Sequence, residues 1–251
     1  LTIINGNVFV GRTDGTDNRN NDIEYTGSGT SKIDIRGGNL MVNGQIRRNP
    51  LNAGGILKYS QSGGTVTING QNANSTNAKF EVLNTGSEFF MSGGTLTIVR
   101  GNGATTSPSS PVGDLYLRPE SGNVTGGTII FDHTGIGAPQ NYFMDASIPL
   151  FNVTITGESA TNYSELRLLT SPLTIDGDMT INANSVLNAN NIDVTFNGNL
   201  INTPGISGYV YGTNTTTFSA TASGSVGGDQ SISGATDFYD LIVNPASTLS
   251  L

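Results

Sequence analysis

The sequence Ser-Gly-Gly-Thr-Val-Thr-Ile at residues 62–68 returns as Ser-Gly-Gly-Thr-Leu-Thr-Ile at 92–98 and, more loosely, as Thr-Gly-Gly-Thr-Ile-Ile-Phe at 125–131. A weaker copy, Arg-Gly-Gly-Asn-Leu-Met-Val, precedes them at 36–42. The first glycines of the four copies are separated by 26 (63−37), 30 (93−63) and 33 (126−93) residues. Each copy joins a Gly-Gly corner to an alternation of apolar and polar residues, the pattern of a strand with one buried face. A repeat of this length without helical segments predicts β-solenoid coils that stack on one another.

One repeat supplies three short strands, because the copy at 62–68 lies between further apolar segments at 56–59 and 80–82. Three strands per repeat indicate three faces per coil. We therefore predict an all-β protein, a right-handed parallel β-helix (β-solenoid) of roughly ten coils. Residues 1–149, which carry the Gly-Gly-Thr repeats, form its first part.

The pattern changes at Leu150, after which the apolar segments are more closely spaced and the corners read Asp176-Gly177 or Asn197-Gly198. Such dipeptides favour tight turns because Asn, Asp and Gly tolerate positive φ. Residues 150–251 therefore continue the solenoid or form a hairpin-rich β section, and periodicity does not decide between the two. The segment 150–155 also resembles 238–243, which lies 88 residues later (241−153). We expect the chain to be cut from a longer tandem array.

Composition excludes several classes of function. The chain has no cysteine, so a disulfide framework and a thiolate metal site are both impossible. Its net charge is −8 and no lysine or arginine follows Arg167, which disfavours a nucleic-acid partner because phosphate contacts need clustered cations. No apolar run approaches the ~20 residues of a membrane span.

Catalytic signals are weak. His133 is the single histidine and follows a strand end beside a glycine-rich loop, so we interpret it as an exposed loop side chain. Glycosidases need two acids at a defined separation, and Asp34, Glu24 and Glu81 are the best candidates on strands. No basic residue clusters with acidic ones in the way a lyase requires, and tryptophan, the usual sugar-stacking residue, is absent. We predict that the chain is not an enzyme.

A calcium site is the one metal site that the sequence suggests. Asp14, Asp17 and Asp22 share a polar loop and together could supply several of the oxygen ligands that Ca²⁺ prefers. Asp176 and Asp178 form a second candidate site with fewer ligands. Neither spacing matches an EF-hand or a calcium-binding β-roll.

Two binding functions stay open as alternatives. A carbohydrate-binding or carbohydrate-cleaving β-helix would show a groove lined with acids and exposed aromatic rings. An ice-binding solenoid would show one flat threonine face, although strand propensity alone also favours threonine at these positions. The outward threonine pairs are Thr65/Thr67, Thr95/Thr97 and Thr154/Thr156.

The Gly-Gly-Thr copies between Gly37 and Phe131, together with Leu-Thr-Ile-Asp-Gly-Asp-Met-Thr-Ile at 173–181 and the Thr-Thr-Thr-Phe at 215–218, resemble the repetitive regions of giant cell-surface adhesins of gliding Bacteroidetes. Those adhesins are substrates of the type IX secretion system. The resemblance covers most of the chain and is one of repeat style, so no binding residue carries over. It implies an extracellular, non-enzymatic segment at the cell surface, a rigid stalk or filament for attachment or gliding. The implied partners are neighbouring repeats of the same polypeptide, a surface polysaccharide or substratum, and the secretion machinery during export.

Overall fold

The computed structural model describes residues 1–12, 21–27, 29–71, 73, 76–108, 112–133, 135–219, 229–244 and 248–251. The strands within these ranges form sheets of 12, 8 and 4 strands, and every pairing between strands is parallel. The predicted parallel β-helix is thereby confirmed. Among the same residues, no helix combines the length and the apolar character that crossing a membrane requires.

The chain visits three faces in turn, and we number the faces in that order. Face 1 consists of β1 (Thr2–Ile3), β4 (Thr30–Ile35), the first parts of β7 (Ile56–Ile68), β9 (Glu88–Ile98) and β11 (Ser121–Asp132), and then β15 (Leu173–Ile175), β18 (Val194–Phe196), β21 (Thr215–Phe218) and β23 (Asp240–Val243). Face 2 consists of β2 (Asn7–Val10), β5 (Asn39–Val42), the second parts of β7, β9 and β11, and then β13 (Asn152–Thr156), β16 (Met179–Ile181), β19 (Leu200–Asn202), β22 (Gln230–Ser233) and β24 (Leu249–Ser250). Face 3 consists of β3 (Ile23–Tyr25), β6 (Ile46–Arg48), β8 (Phe80–Val82), β10 (Leu115–Leu117), β12 (Gln140–Ala146), β14 (Ser164–Leu168), β17 (Ser185–Asn188) and β20 (Tyr209–Val210), which follows a short 3-10 helix at Gly205–Gly208.

The four Gly-Gly copies stack in register on face 2. Leu40 pairs with Val66, Val66 with Leu96, and Leu96 with Ile129. Along this face the described residues form ten successive strands, from β2 to β24. The extra residues of the longer repeats therefore lie in the segments between strands, because the alternation of buried and exposed residues fixes the register within the face.

One hydrophobic core runs inside all three faces, from Ile3 to Ile232. Aromatic rings fill its wider parts: the ring of Tyr59 lies 5.1 Å from that of Phe80 and 5.2 Å from that of Phe89, measured between centroids. Burial of each such side chain contributes roughly 1.5–3 kcal/mol. Since these contributions come from neighbouring coils, each coil is stabilised by the coils that cover it.

The pattern change at Leu150 does not end the solenoid. From β13 to β24 the described strands pair in parallel, so the hairpin-rich alternative is wrong for them. Face 1 is nevertheless interrupted there. Residues 147–151 pair with the following coil through a single bridge, Leu150 to Ile175, and have no ladder with the first part of β11.

The Gly-Gly corners require glycine for two reasons. Gly64 and Gly94 have φ of +67° and +80°, a region that side chains with a Cβ rarely adopt. A Cβ on Gly64 would also lie 2.5 Å from the carbonyl oxygen of Gly38, and one on Gly94 would lie 2.5 Å from that of Gly63. Successive coils approach so closely at this corner that only glycine fits.

Candidate functional site

The predicted calcium loop falls mostly outside the described residues. Asp14 and Asp17 lie in that part of the chain, and Asp22 is described. The Asp22 carboxylate accepts hydrogen bonds from the Gln45 backbone at 2.7 Å and from Arg47 Nε at 2.7 Å. The described residues contain no group of three or more acidic or histidine side chains placed to hold a metal ion. Calcium binding by the loop stays a prediction.

The second candidate calcium site, Asp176 and Asp178, lies at the corner between faces 1 and 2. Asp176 Oδ1 accepts a hydrogen bond from Asn197 Nδ2 at 2.7 Å. Asp178 Oδ1 accepts from the backbone N of Asn199 at 3.0 Å and from its Nδ2 at 2.9 Å. These carboxylates join one coil to the next through amide donors.

The interpretation of His133 as an exposed loop side chain is wrong. His133 is fully buried, and its Nδ1 lies 2.6 Å from Ser164 Oγ. Because Ser164 Oγ donates its proton to the Thr156 carbonyl at 2.6 Å, His133 must donate from Nδ1. Its Nε2 has no partner among the described residues. The pair ties the end of face 2 to the next coil of face 3.

Buried acidic and basic residues lie together at face 3. The sequence did not reveal this cluster. Lys79 Nζ is 3.9 Å from Asp114 Oδ1, and both residues are buried. Burial raises the pKa of Asp114 to about 7 despite the nearby lysine. Asn102 Nδ2 donates to Asp114 at 2.9 Å, and Asn141 Nδ2 donates to the Thr105 carbonyl at 2.7 Å. The segment around Asn102 and Thr105 therefore lies against face 3 and covers this cluster.

The three candidate glycosidase acids do not share one face of the solenoid. Asp34 lies on face 1, whereas Glu24 and Glu81 lie on face 3. Glu24 pairs with Arg47 at 2.6 Å and Glu81 with Arg48 at 2.9 Å. Both carboxylates are thus engaged in ion pairs with arginines of the neighbouring strand.

An open groove lies on the outer side of face 1, and we call it the Phe90 groove. Asp34, Ser60, Phe90 and Asn123 are successive outward residues in register on four neighbouring strands. The Phe90 ring is 41% exposed. The groove is lined by Asp34, Ser60, Ser62, Phe90, Ser92, Asn123 and Thr125, above the buried Gln61 and Met91.

The carboxylate of this groove is held ionised. Hydrogen bonds from Arg36 to Asp34 Oδ2, at 2.9 and 3.1 Å, keep the pKa of Asp34 below its usual value. Ser60 Oγ donates to Asp34 Oδ1 at 2.9 Å. A second depression, lined by Lys32, Lys58, Tyr59, Ser60 and Glu88, lies on the other side of the Phe90 ring.

The sequence carries a signal for Phe90 in the alternation of its own strand. Phe89 and Met91 are the inward residues of that strand, so the period of two places Phe90 outside. The alternation therefore places Phe90 on the outer surface, although a single exposed apolar residue is common there.

The threonine pairs form a partial array on face 2. Thr65 and Thr67 pair with Thr95 and Thr97. In the ladder that contains Thr67 and Thr97, the other outward residues are mixed: Phe9, Met41, Ile130, Thr154, Thr180, Ile201 and Ser233. A regular two-column threonine array is thus limited to two neighbouring coils.

Comparison of the chain with protein-family models, with curated proteins and with solved structures finds no match in any of the three. The adhesin resemblance therefore rests on the repeat style alone.

Proposed function

We propose that this chain is a non-enzymatic structural and adhesive segment of a large cell-surface adhesin, a rigid stalk or filament for attachment or gliding. The observation that carries the proposal is the unbroken stack of ten strands in register on face 2, over one core. In a solenoid each coil contacts only its neighbours, so the structure extends in one direction as coils are added. At ~4.8 Å per strand, ten strands give a rise of about 45 Å.

The outer surface also suits a stalk outside the cell. Most outward residues on face 2 are uncharged threonine, asparagine and serine. All three are hydrophilic, and threonine also favours strands. Cohesion comes from the stacked core, so such a segment needs no disulfide, in keeping with the absence of cysteine. Export by type IX secretion and a part in gliding are included in the proposal because of the repeat style.

Surface location is tested with antibodies raised against the purified, folded chain. We expect them to label intact cells of the source organism, while antibodies against a cytoplasmic protein label only permeabilised cells. Cells whose full-length protein lacks these residues should attach to a surface less well. Labelling only after permeabilisation would contradict the proposal, as would normal attachment by the deletion strain.

A further inference from the structure

The Phe90 ring projects from a surface of free polar groups. The side chains of Ser62, Ser92, Asn123 and Thr125 are exposed, and none makes a side-chain hydrogen bond to a described residue. These hydroxyl and amide groups can donate and accept. An exposed ring surrounded by unpaired polar groups is arranged to hold a ligand with one apolar side and many hydroxyls.

The groove is open because face 1 is interrupted beside it. Ser121 to Val124 pair with β9 on one side, and residues 147–151 of the next coil form no ladder with them on the other. Asn123 therefore lies at the edge of a sheet rather than in its middle. The resulting depression has a volume of about 270 Å³, which accommodates a small ligand or part of a longer chain.

The charges near the ring are already paired within the protein. Lys58 Nζ lies 2.5 Å from Glu88 Oε1, and Arg36 Nη2 lies 2.9 Å from Asp34 Oδ2. A strongly charged ligand would have to compete with these pairs. The arrangement favours a neutral ligand that hydrogen-bonds to the uncharged groups.

We propose that the Phe90 groove binds a chain of neutral pyranose sugars. One sugar ring packs its C–H face on Phe90, while its hydroxyls bond to Asn123 and to the serine and threonine hydroxyls. Asp34 keeps free acceptor capacity for a further sugar hydroxyl, since a carboxylate has about four lone-pair sites. This inference rests on the proposed adhesive function and names its ligand class.

A protein partner fits the groove less well. A stable protein interface buries about 1,200–2,000 Å² around several apolar or arginine anchors. The groove offers one ring, and its other exposed lining residues are small and polar. One ring of a small ligand can instead stack on Phe90 and be oriented by the polar groups around it.

Affinity electrophoresis tests the proposal with the whole chain in native gels that contain a neutral β-glucan, a neutral xylan or the acidic polysaccharide alginate. We expect at least one neutral polysaccharide to retard the protein. Phe90→Ala should weaken that binding at least about tenfold, the loss typical of a central aromatic anchor. Asn123→Ala should weaken it less.

Phe9→Ala is the matched control, because Phe9 is 39% exposed and lies on face 2. We expect this variant to bind as the wild type does, and all variants to keep the wild-type melting temperature. The proposal is overturned if neither neutral polysaccharide retards the protein, if only alginate does, or if Phe90→Ala and Phe9→Ala behave alike. Labelling of intact cells is read separately, so a failure of sugar binding is distinguishable from a failure of the adhesin proposal.

Discussion

The two halves of the solenoid turn the same corner, from face 1 to face 2, with different chemistry. Before Leu150 the corner is Gly-Gly followed by threonine or asparagine, and the backbones of successive coils touch. After Leu150 it becomes Asp-Gly-Asp at 176–178 and Asn-Gly-Asn at 197–199. Close backbone approach is common to both corners, since a Cβ on Gly198 would clash with the Gly177 carbonyl oxygen. The first corner differs in its second glycine, which has positive φ, and the second corner in the hydrogen bonds that its flanking side chains make between coils.

The second corner contains a ladder of hydrogen bonds between coils. Asn152 Oδ1 accepts from the backbone N of Asp178 at 2.8 Å. Asp178 Oδ1 accepts from Asn199, and Asn199 Oδ1 accepts from Ser231 N at 2.9 Å. Each side chain thus bonds to the next coil, and the ladder continues over four coils.

The halves also differ in what they bury. The buried charged residues of the described chain all precede Leu150; they are Asp34, Arg47, Lys79, Glu81, Asp114 and Asp145. After it the buried polar residues are uncharged, namely Ser164, Ser185, Asn197, Asn202, Asn214, Thr216 and Gln230. The same fold therefore accommodates buried charges in one half and amide ladders between coils in the other. The stability of the first half should depend on pH, and that of the second on individual hydrogen bonds between coils.

The largest effect is expected at the glycine corner. Gly64→Ala places a Cβ at positive φ and 2.5 Å from the Gly38 carbonyl oxygen, so the backbone of two coils must separate. We expect the free energy of unfolding, measured with urea, to fall by at least about 3 kcal/mol.

Gly103→Ala is the control for this prediction, because Gly103 also has positive φ (+59°) but a Cβ there would meet no described atom within 4 Å. It should lower the free energy of unfolding by only about 1 kcal/mol, the approximate cost of the backbone conformation. Equal losses in the two variants would show that contact between coils does not specify the corner.

Stacking of the Gly-Gly copies was predictable because it depends on two local signals, the corner glycines and the period of two. The interruption of face 1 was not, since it depends on whether residues 147–151 pair with a strand more than 20 residues earlier. The long strand β7, which bends through its corner without ending, was also not visible in the pattern.

Site prediction failed where the partners come from different coils. Lys79 and Asp114 are 35 residues apart (114−79), and His133 and Ser164 are 31 apart (164−133). Nothing local in the sequence indicates that these side chains meet, because the loop lengths between faces decide which residues become neighbours. Phe90 differs, since its alternation with Phe89 and Met91 is enough to place it outside.

The buried carboxyl group of Asp114 should make the first half sensitive to pH. Its pKa is about 7 in the folded protein, against an ordinary value of 3.8 when unfolded, so the folded state binds more protons between these values. The contribution of the Asp114 carboxyl group to the free energy of unfolding is therefore greatest at low pH and decreases as the pH rises towards 7. Relative to Asp114→Asn, the wild type should lose roughly 2 kcal/mol between pH 5 and pH 8 in urea titrations.

Asp34→Asn is the comparison variant for the pH series. The Arg36 guanidinium lowers the pKa of Asp34, so the stabilisation from this carboxylate is present above pH 3.8 and is lost only on further acidification. Its effect on stability should be constant between pH 5 and pH 8. If Asp114→Asn likewise shifts stability by the same amount at every pH, the buried carboxyl group does not titrate in this range.

The smallest effect concerns the amide ladder of the second half. Asp178→Ala removes the acceptor for the backbone N and Nδ2 of Asn199, which are left without that partner in a half-buried corner. We expect a loss of about 1–2 kcal/mol in the free energy of unfolding. Asp178→Asn, which keeps an acceptor oxygen at the same place, should lose less.

Thr95→Ala changes the equivalent position of the first half, where the side chain makes no hydrogen bond to a described residue, and should have almost no effect. If Thr95→Ala costs as much as Asp178→Ala, hydrogen bonds from side chains do not distinguish the second corner from the first.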